Sequence, residues 1–68
     1  MNDEILTRVL AENGIQIEDV GAEWGPEYKG QYRFLHFVND ELVEIGELRP
    51  SIKDARDAAH QYFIRHIF

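Results

Sequence analysis

The stretch QYRFLHFVND, residues 31 to 40, constrains the fold more than any other part of this chain. Aromatic and β-branched residues fill it, which predicts a β-strand, and Asn39-Asp40 at its end supplies the residue types of a tight turn. The next residues, ELVEIGEL, predict a partner strand that pairs back across this turn. An isolated hairpin is barely stable in water, so the flanking segments must cover one of its faces.

Helical periodicity is present on both sides of this hairpin. Residues 3 to 13 predict an amphipathic helix, because their apolar residues fall on one face and Asn13-Gly14 supplies the residue types that end a helix. Residues 50 to 68 predict a second helix that runs to near the C-terminus. At its start Ser51 and Asp54 resemble a capping box, with Asp in place of the usual Glu.

A first strand is predicted between the first helix and the hairpin. Val20, Ala22 and Trp24 alternate with polar or small residues, which is the two-residue repeat of a half-buried strand. The isoleucines just before them have the opposite phase, so we place a bulge or turn near Glu18-Asp19. We expect Trp24 to lie in the core against a helix.

The predicted fold is α+β, with the order α-β-β-β-α in a single domain over residues 1-68. Both helices pack on one face of a three-stranded antiparallel sheet. The cross-strand pairs expected on that face are Trp24 with Tyr32, Ala22 with Phe34, Val20 with His36, His36 with Val43, and Phe34 with Ile45. The opposite face would then show Asp19, Glu23, Arg33, Leu35, Phe37, Leu42 and Glu44.

Two interpretations of Leu35, Phe37 and Leu42 stay open at this point. A slip in the strand register would make them the buried set, because a shift of one residue exchanges the two faces of a strand. With the register as predicted, they form an exposed apolar patch, and such a patch on a small domain indicates a docking surface.

Composition argues against several classes of protein. The chain has 68 residues and no cysteine, so it has neither a disulfide framework nor a thiolate metal site. The spacing of His36, His60 and His66 does not match a helical metal motif, and no nucleophile or phosphate-binding motif is present. A domain of this size has little room for an active-site cleft. We expect no enzymatic activity, no cofactor and no metal.

Charge and the N-terminal residues bear on location and partners. MNDEILTRVL has acids where a signal peptide needs cations, and its apolar run is interrupted, which predicts a cytoplasmic protein that does not enter a membrane. The net charge of −6 repels phosphate, so direct binding to nucleic acid is not expected.

The negative charge is concentrated in the first part of the chain. Residues 1 to 28 hold seven acids and one base, whereas residues 49 to 68 hold two acids and four bases. Carboxylates two residues apart on a strand lie about 6.6 Å from one another, which is similar to the spacing of phosphates along a nucleic acid. Solubility is the alternative explanation of such a charge. The candidate partner-binding residues are the carboxylates Asp3, Glu4, Glu12, Glu18, Asp19, Glu23, Glu27 and Glu44, with Leu35 and Phe37 as apolar anchors.

The order of elements resembles the double-stranded RNA-binding domain. The pattern Pro50-Ser51-x3-Ala55-x2-Ala58-Ala59 is similar to the start of the last helix in that family. The family holds phosphates with a lysine cluster at this place, where the present chain has Ile52, Lys53 and Asp54. RNA binding is therefore not carried over.

By size, acidity and compact α/β organisation, the chain also resembles the small anti-CRISPR proteins of phages and mobile elements, in particular inhibitors of type I systems. The resemblance implies that an acidic surface mimics DNA and occupies a basic channel. We therefore expect a monomeric, stoichiometric inhibitor in the host cytoplasm. Its expected partner is a basic nucleic-acid-binding protein, a subunit of a CRISPR type I surveillance complex. The alternatives are an interaction or dimerisation module that docks through the apolar sheet face, and an antitoxin that neutralises a basic toxin.

Overall fold

Residues 3 to 66 are described by the computed structural model and form three helices, one 3₁₀ turn and three strands. In chain order the elements are α1 (Asp3–Glu12), β1 (Ile15–Asp19), α2 (Val20–Trp24), the 3₁₀ turn (Pro26–Tyr28), β2 (Tyr32–Val38), β3 (Glu41–Ile45) and α3 (Ile52–His66). Residues 67 and 68, to which the second predicted helix extends, lie outside the described residues. No helix within residues 3 to 66 is long and apolar enough to cross a membrane.

The predicted α+β architecture is confirmed. The strands form one antiparallel sheet in the order β1-β2-β3, and α1 and α3 pack on the same face of it. The core between helices and sheet consists of Leu6, Leu10, Ile15, Phe34 and Ala59. Because burying one large aliphatic side chain stabilises a fold by about 1.5 to 3 kcal/mol, a few such residues supply much of the stability of a chain this short.

Both long helices begin or end where the sequence predicts. The amide of Gly14 donates to the carbonyl of Ala11 at 3.0 Å, and its positive φ of 80° ends α1. At the start of α3 the hydroxyl of Ser51 accepts a hydrogen bond from the amide of Asp54 at 3.1 Å. This is the N-terminal cap predicted from the sequence.

The hairpin is confirmed, but its register contains a bulge. Asn39 and Asp40 both have positive φ, at 51° and 65°, as a two-residue turn between paired strands requires. The pairing then shifts, so that Val43 is an extra residue on β3. The expected pairs of His36 with Val43 and Phe34 with Ile45 are therefore wrong; the observed pairs are His36 with Glu44 and Leu35 with Ile45.

The position of the first strand was predicted wrongly. Residues 20 to 24 form α2, and β1 is the preceding segment, Ile15–Asp19. The side chain of Asp19 accepts a hydrogen bond from the amide of Ala22 at 3.2 Å and so starts a helix where the sequence predicts a strand. Trp24 is consequently 61% exposed and does not belong to the core.

The first sheet pairs and the assignment of faces change with this strand. The pairs observed are Ile15 with His36, Ile17 with Phe34, and Asp19 with Tyr32, in place of those predicted for Val20, Ala22 and Trp24. On the face opposite the helices, Arg33, Leu35, Phe37 and Leu42 lie as predicted. Asp19 and Glu44 lie instead on the helix side of the sheet. Asp19 has the same phase along β1 as the buried Ile15, and Glu44 pairs with the buried His36. Glu23 lies on α2.

Candidate functional site

The segment from Asp19 to Glu27 forms a compact acidic loop. The buried side chain of Val20 anchors it, and the amide of Val20 donates to the carbonyl of Gln31 at 3.0 Å. Gly21 lies so close to the backbone of Lys29 that an added Cβ would come within 2.7 Å of the Lys29 Cα. These contacts fix the short α2 against the 3₁₀ turn, so Glu23 and Glu27 project from a rigid support.

The start of α1 returns to the same end of the sheet as this loop. The chain reverses at the two-residue turn between α1 and β1, so Asp3 and Glu4 lie near the end of β1 and Glu12 lies near its beginning. We call Asp3, Glu4, Asp19, Glu23 and Glu27 the acidic end.

The predicted acidic surface is not continuous, because one of its carboxylates pairs with an arginine and another lies elsewhere on the molecule. Arg56 on α3 lies 3.7 Å from the carboxylate of Asp3 and donates to the hydroxyl of Thr7 at 3.0 Å, which ties α3 to α1. Glu12 lines a separate groove beside Asp40 at the hairpin turn. The predicted carboxylates therefore do not form one continuous surface, because Asp3 is paired with a cation and Glu12 lies near the hairpin turn.

Glu18 has a structural partner. Its carboxylate accepts a hydrogen bond from Arg33 Nε at 2.5 Å directly across the β1–β2 ladder, and the two side chains are only 16% and 21% exposed. Glu18 and its neighbour Asp19 point to opposite faces of the strand, and Glu23 lies on a helix. The ladder of carboxylates at phosphate-like intervals, expected from an extended first strand, is therefore not formed.

The face of the sheet opposite α1 and α3 is apolar at its centre. Leu35 and Phe37 are half-buried there, and Leu42 and Ile45 beside them are 42% and 48% exposed. The buried set on β2 consists of Phe34 and His36. Of the two interpretations left open by the sequence, the structure therefore supports an apolar patch over a slipped register.

The helix side of the sheet holds a buried polar pair. His36 is 7% exposed, and its Nδ1 lies 2.7 Å from the hydroxyl of Tyr62 on α3. The Tyr62 ring packs between Phe34 and His66, with ring centres 4.9 and 4.7 Å away. Burial, and secondarily the negative charge of Glu44, raise the pKa of Tyr62. His36 is thus a buried, hydrogen-bonded histidine on a strand with apolar neighbours.

A groove between β3 and α3 was not predicted. It encloses about 310 Å³, and Glu47 and Arg49 on one side face Tyr62 and Arg65 on the other. The Nε of Arg49 is buried in this region with no hydrogen-bond partner among the described residues. The only sequence signal for it is the run of apolar and acidic residues from 41 to 48, of which Glu41–Ile45 forms the edge strand β3.

Comparison with known protein families, with characterised proteins and with solved structures found no match to this chain. No residue role is therefore transferred from another protein. The candidate binding surfaces are the acidic end, the apolar sheet face and the groove.

Proposed function

We propose that this protein is a stoichiometric inhibitor that binds a basic nucleic-acid-binding protein and blocks its access to nucleic acid. The observation that carries this proposal is the acidic loop of Asp19, Glu23 and Glu27. The stretch from residue 19 to residue 27 contains no base, and within residues 3 to 66 none of the three carboxylates has a cationic side chain within 4.0 Å. Their charge is therefore available to a partner.

The rigidity of the loop supports a binding role. A charged group that is already held in place loses less conformational entropy on binding than one on a mobile chain. The contacts of Val20 with Gln31 and of Gly21 with Lys29 hold the loop before any partner arrives. Complementary charge also accelerates encounter with a basic surface.

Charge by itself gives modest affinity, and apolar anchors have to supply the remainder. Leu35 and Phe37 are half-buried on the open sheet face, next to exposed Leu42. A partner that contacts both the acidic end and this face would gain both kinds of interaction. The specific target that we propose is a subunit of a type I CRISPR surveillance complex, on the resemblance to small acidic inhibitors of such systems.

The test is charge reversal at residues without a structural role. Glu18 pairs with Arg33 and Asp19 caps α2, so the informative variant is Glu23→Lys/Glu27→Lys. We expect it to bind a purified type I surveillance complex at least about tenfold more weakly, because two attractive contacts become repulsive.

The matched control is Glu12→Lys/Glu41→Lys, at two exposed residues near the hairpin turn, which changes the net charge by the same amount. Equal weakening by both variants would indicate that the net charge of the protein, and not the position of the carboxylates, determines binding. Undiminished binding of the Glu23→Lys/Glu27→Lys variant would refute a role for the acidic end.

A second candidate function is a docking module that uses the apolar sheet face. The exposure of Leu42 and Ile45, at 42% and 48%, favours it, because contiguous exposed apolar groups mark contact surfaces. Leu42→Lys should abolish partner binding in this case and leave it nearly unchanged if the acidic end alone binds.

A further inference from the structure

Trp24 is the most exposed large apolar side chain among residues 3 to 66. It is 61% exposed, whereas the other exposed large hydrophobic residues there range from 36% to 50%. A tryptophan ring removes about 150 to 250 Å² of surface from water when it is buried, and tryptophan is among the residues that contribute most to binding at protein interfaces. An exposed tryptophan on so small a fold is therefore a candidate contact residue.

The backbone that carries Trp24 is held in place. Val20, one turn earlier in α2, is 2% exposed, and its amide donates to the carbonyl of Gln31 at 3.0 Å. The amide of Gly25 donates to the carbonyl of Gly21 at 3.2 Å and closes the helix just after Trp24. A side chain on an ordered backbone loses less conformational entropy when a partner covers it.

Carboxylates flank the point where this ring is attached. Glu23 precedes Trp24 in α2, and the Oε1 atom of Glu27 lies 4.0 Å from the position that a Cβ on Gly25 would occupy. Lys29 is the nearest base in the chain, and among residues 3 to 66 neither glutamate forms an ion pair with it. The ring of Trp24 therefore lies in a locally negative part of the surface.

An exposed aromatic ring beside unpaired carboxylates fits an arginine side chain. A guanidinium group stacks on an aromatic face and at the same time donates hydrogen bonds to a carboxylate. Lysine gains less from the ring, because its ammonium group is strongly hydrated and not planar.

The same charges disfavour two other occupants. A nucleic acid that stacked a base on the ring would bring its phosphates close to the carboxylates. A second copy related by two-fold symmetry would place Glu23 and Glu27 against the same residues of its neighbour, and like charges at an interface are unfavourable.

We propose that Trp24 is the contact residue of the acidic end for an arginine side chain on a basic partner protein. The guanidinium group stacks on the indole ring and donates to the neighbouring carboxylate of Glu27. This inference rests on the proposed inhibitor function, from which it takes the basic surface of the partner. It adds that the surface recognises arginine, and not positive charge in general.

The test is an NMR titration of the ¹⁵N-labelled protein with a short synthetic peptide of alternating arginine and glycine. Trp24 is the only tryptophan of the chain, so a single indole N–H signal reports on it. The matched peptide alternates lysine and glycine and carries the same charge. We expect the arginine peptide to shift the indole signal and the amides of Glu23 and Glu27. It should bind about twofold to fivefold more tightly than the lysine peptide.

Substitutions of Trp24 separate the ring from the charge, with affinities read from the amides of Glu23 and Glu27. Trp24→Leu keeps an apolar side chain and both carboxylates, and should bind the two peptides equally, because only the attraction of charges remains. Trp24→Phe keeps an aromatic face and should retain part of the preference for arginine. Val38→Ala removes an exposed apolar side chain at the opposite end of β2 and should leave both affinities unchanged.

The proposal is overturned if the arginine peptide leaves the indole signal unchanged, if the natural protein binds both peptides equally, or if Trp24→Leu keeps the preference for arginine. Indole shifts that depend on protein concentration without peptide would overturn it in favour of a second copy.

Failure of this inference and failure of the inhibitor function give different results. If the natural protein does not bind a surveillance complex but the arginine peptide gives the expected shifts and preference, the inhibitor function is wrong and the arginine site stands. If Glu23→Lys/Glu27→Lys loses affinity for the complex and Trp24→Leu does not, the inhibitor function stands and the role of Trp24 is refuted.

Discussion

At the scale of single residues, Gly46 shows how closely the chain is packed. It follows β3, and a Cβ at this position would collide with the ring of Phe34, a core residue that is 6% exposed. Its φ is not in the left-handed region, so the requirement for glycine comes from space alone. This contact closes the sheet over the core.

Gly46→Ala should destabilise the protein by about 1 to 3 kcal/mol, because the ring of Phe34 has to move or the strand has to shift. Urea unfolding measures this change. Gly30→Ala is the comparison, since nothing lies within 4 Å of its added Cβ and only its positive φ of 76° is strained. A loss for Gly46→Ala no larger than that for Gly30→Ala would contradict the proposed collision.

The hydrogen bond between Tyr62 and His36 has a different role, because it satisfies a buried polar atom. Tyr62→Phe should cost about 1 to 3 kcal/mol, since the ring nitrogen of His36 loses its partner. Tyr28→Phe, at an exposed tyrosine, should change the free energy of unfolding by less than about 0.5 kcal/mol.

The same tyrosine gives a pH dependence with a defined sign. Burial and the charge of Glu44 raise the pKa of Tyr62 above its ordinary value of 10.0, so the folded state holds this proton more tightly than the unfolded state. The stabilisation is complete below about pH 10 and is lost as the pH rises above it. Urea unfolding at increasing alkaline pH should show a steeper fall for the natural protein than for Tyr62→Phe. Parallel curves would exclude this contribution.

At the scale of elements, the hairpin between β2 and β3 depends on two residues in an unfavourable conformation. Asn39 and Asp40 have φ of 51° and 65°, and glycine is preferred at the second position of such a turn. Asp40 occupies this position, and an aspartate tolerates the conformation without favouring it.

Asp40→Gly should stabilise the protein by about 0.5 to 1 kcal/mol, because glycine adopts this φ at little steric cost. Thermal and urea unfolding measure the gain. Asp40→Asn removes the same charge but keeps a side chain, so it should be nearly neutral. An equal gain in stability for both variants would indicate that the loss of the negative charge, and not the conformational freedom of glycine, stabilises the protein.

The segment from Ile15 to Trp24 shows why one element was placed wrongly. Ile15 and Ile17 alternate with polar residues, and Val20, Ala22 and Trp24 do so as well, so periodicity gives two possible strands. The structure selects the first, because Ile15 is 1% exposed in the core and Asp19 caps a helix. Local sequence does not contain the contact with β2 that decides between them.

At the scale of the whole molecule, charge and apolar surface lie in different places. The acidic end is built from α1, the end of β1 and α2, whereas the apolar patch lies at the centre of the open sheet face. The two surfaces respond differently to salt, because screening acts on charge and leaves apolar burial largely unchanged.

Binding to a basic partner through the acidic end should weaken by about an order of magnitude or more as ionic strength rises from roughly 0.05 to 0.5 M. Titration calorimetry at several salt concentrations measures this dependence. Affinity that does not change with salt would contradict the acidic end as the principal contact and favour the apolar patch.

The sequence by itself determined both long helices, the hairpin and its turn, the cap at Ser51 and the α+β class. These features depend on interactions within a few residues, which periodicity and turn chemistry express directly. The tertiary structure alone decided the position of β1, the bulge at Val43, the exposure of Trp24 and the pairing of Glu18 with Arg33. The pairing of β1 with β2 and of Glu18 with Arg33 joins segments distant in the chain, and the free energy of such contacts outweighs small local preferences. The exposure of Trp24 follows from the helix that Asp19 caps in place of a strand.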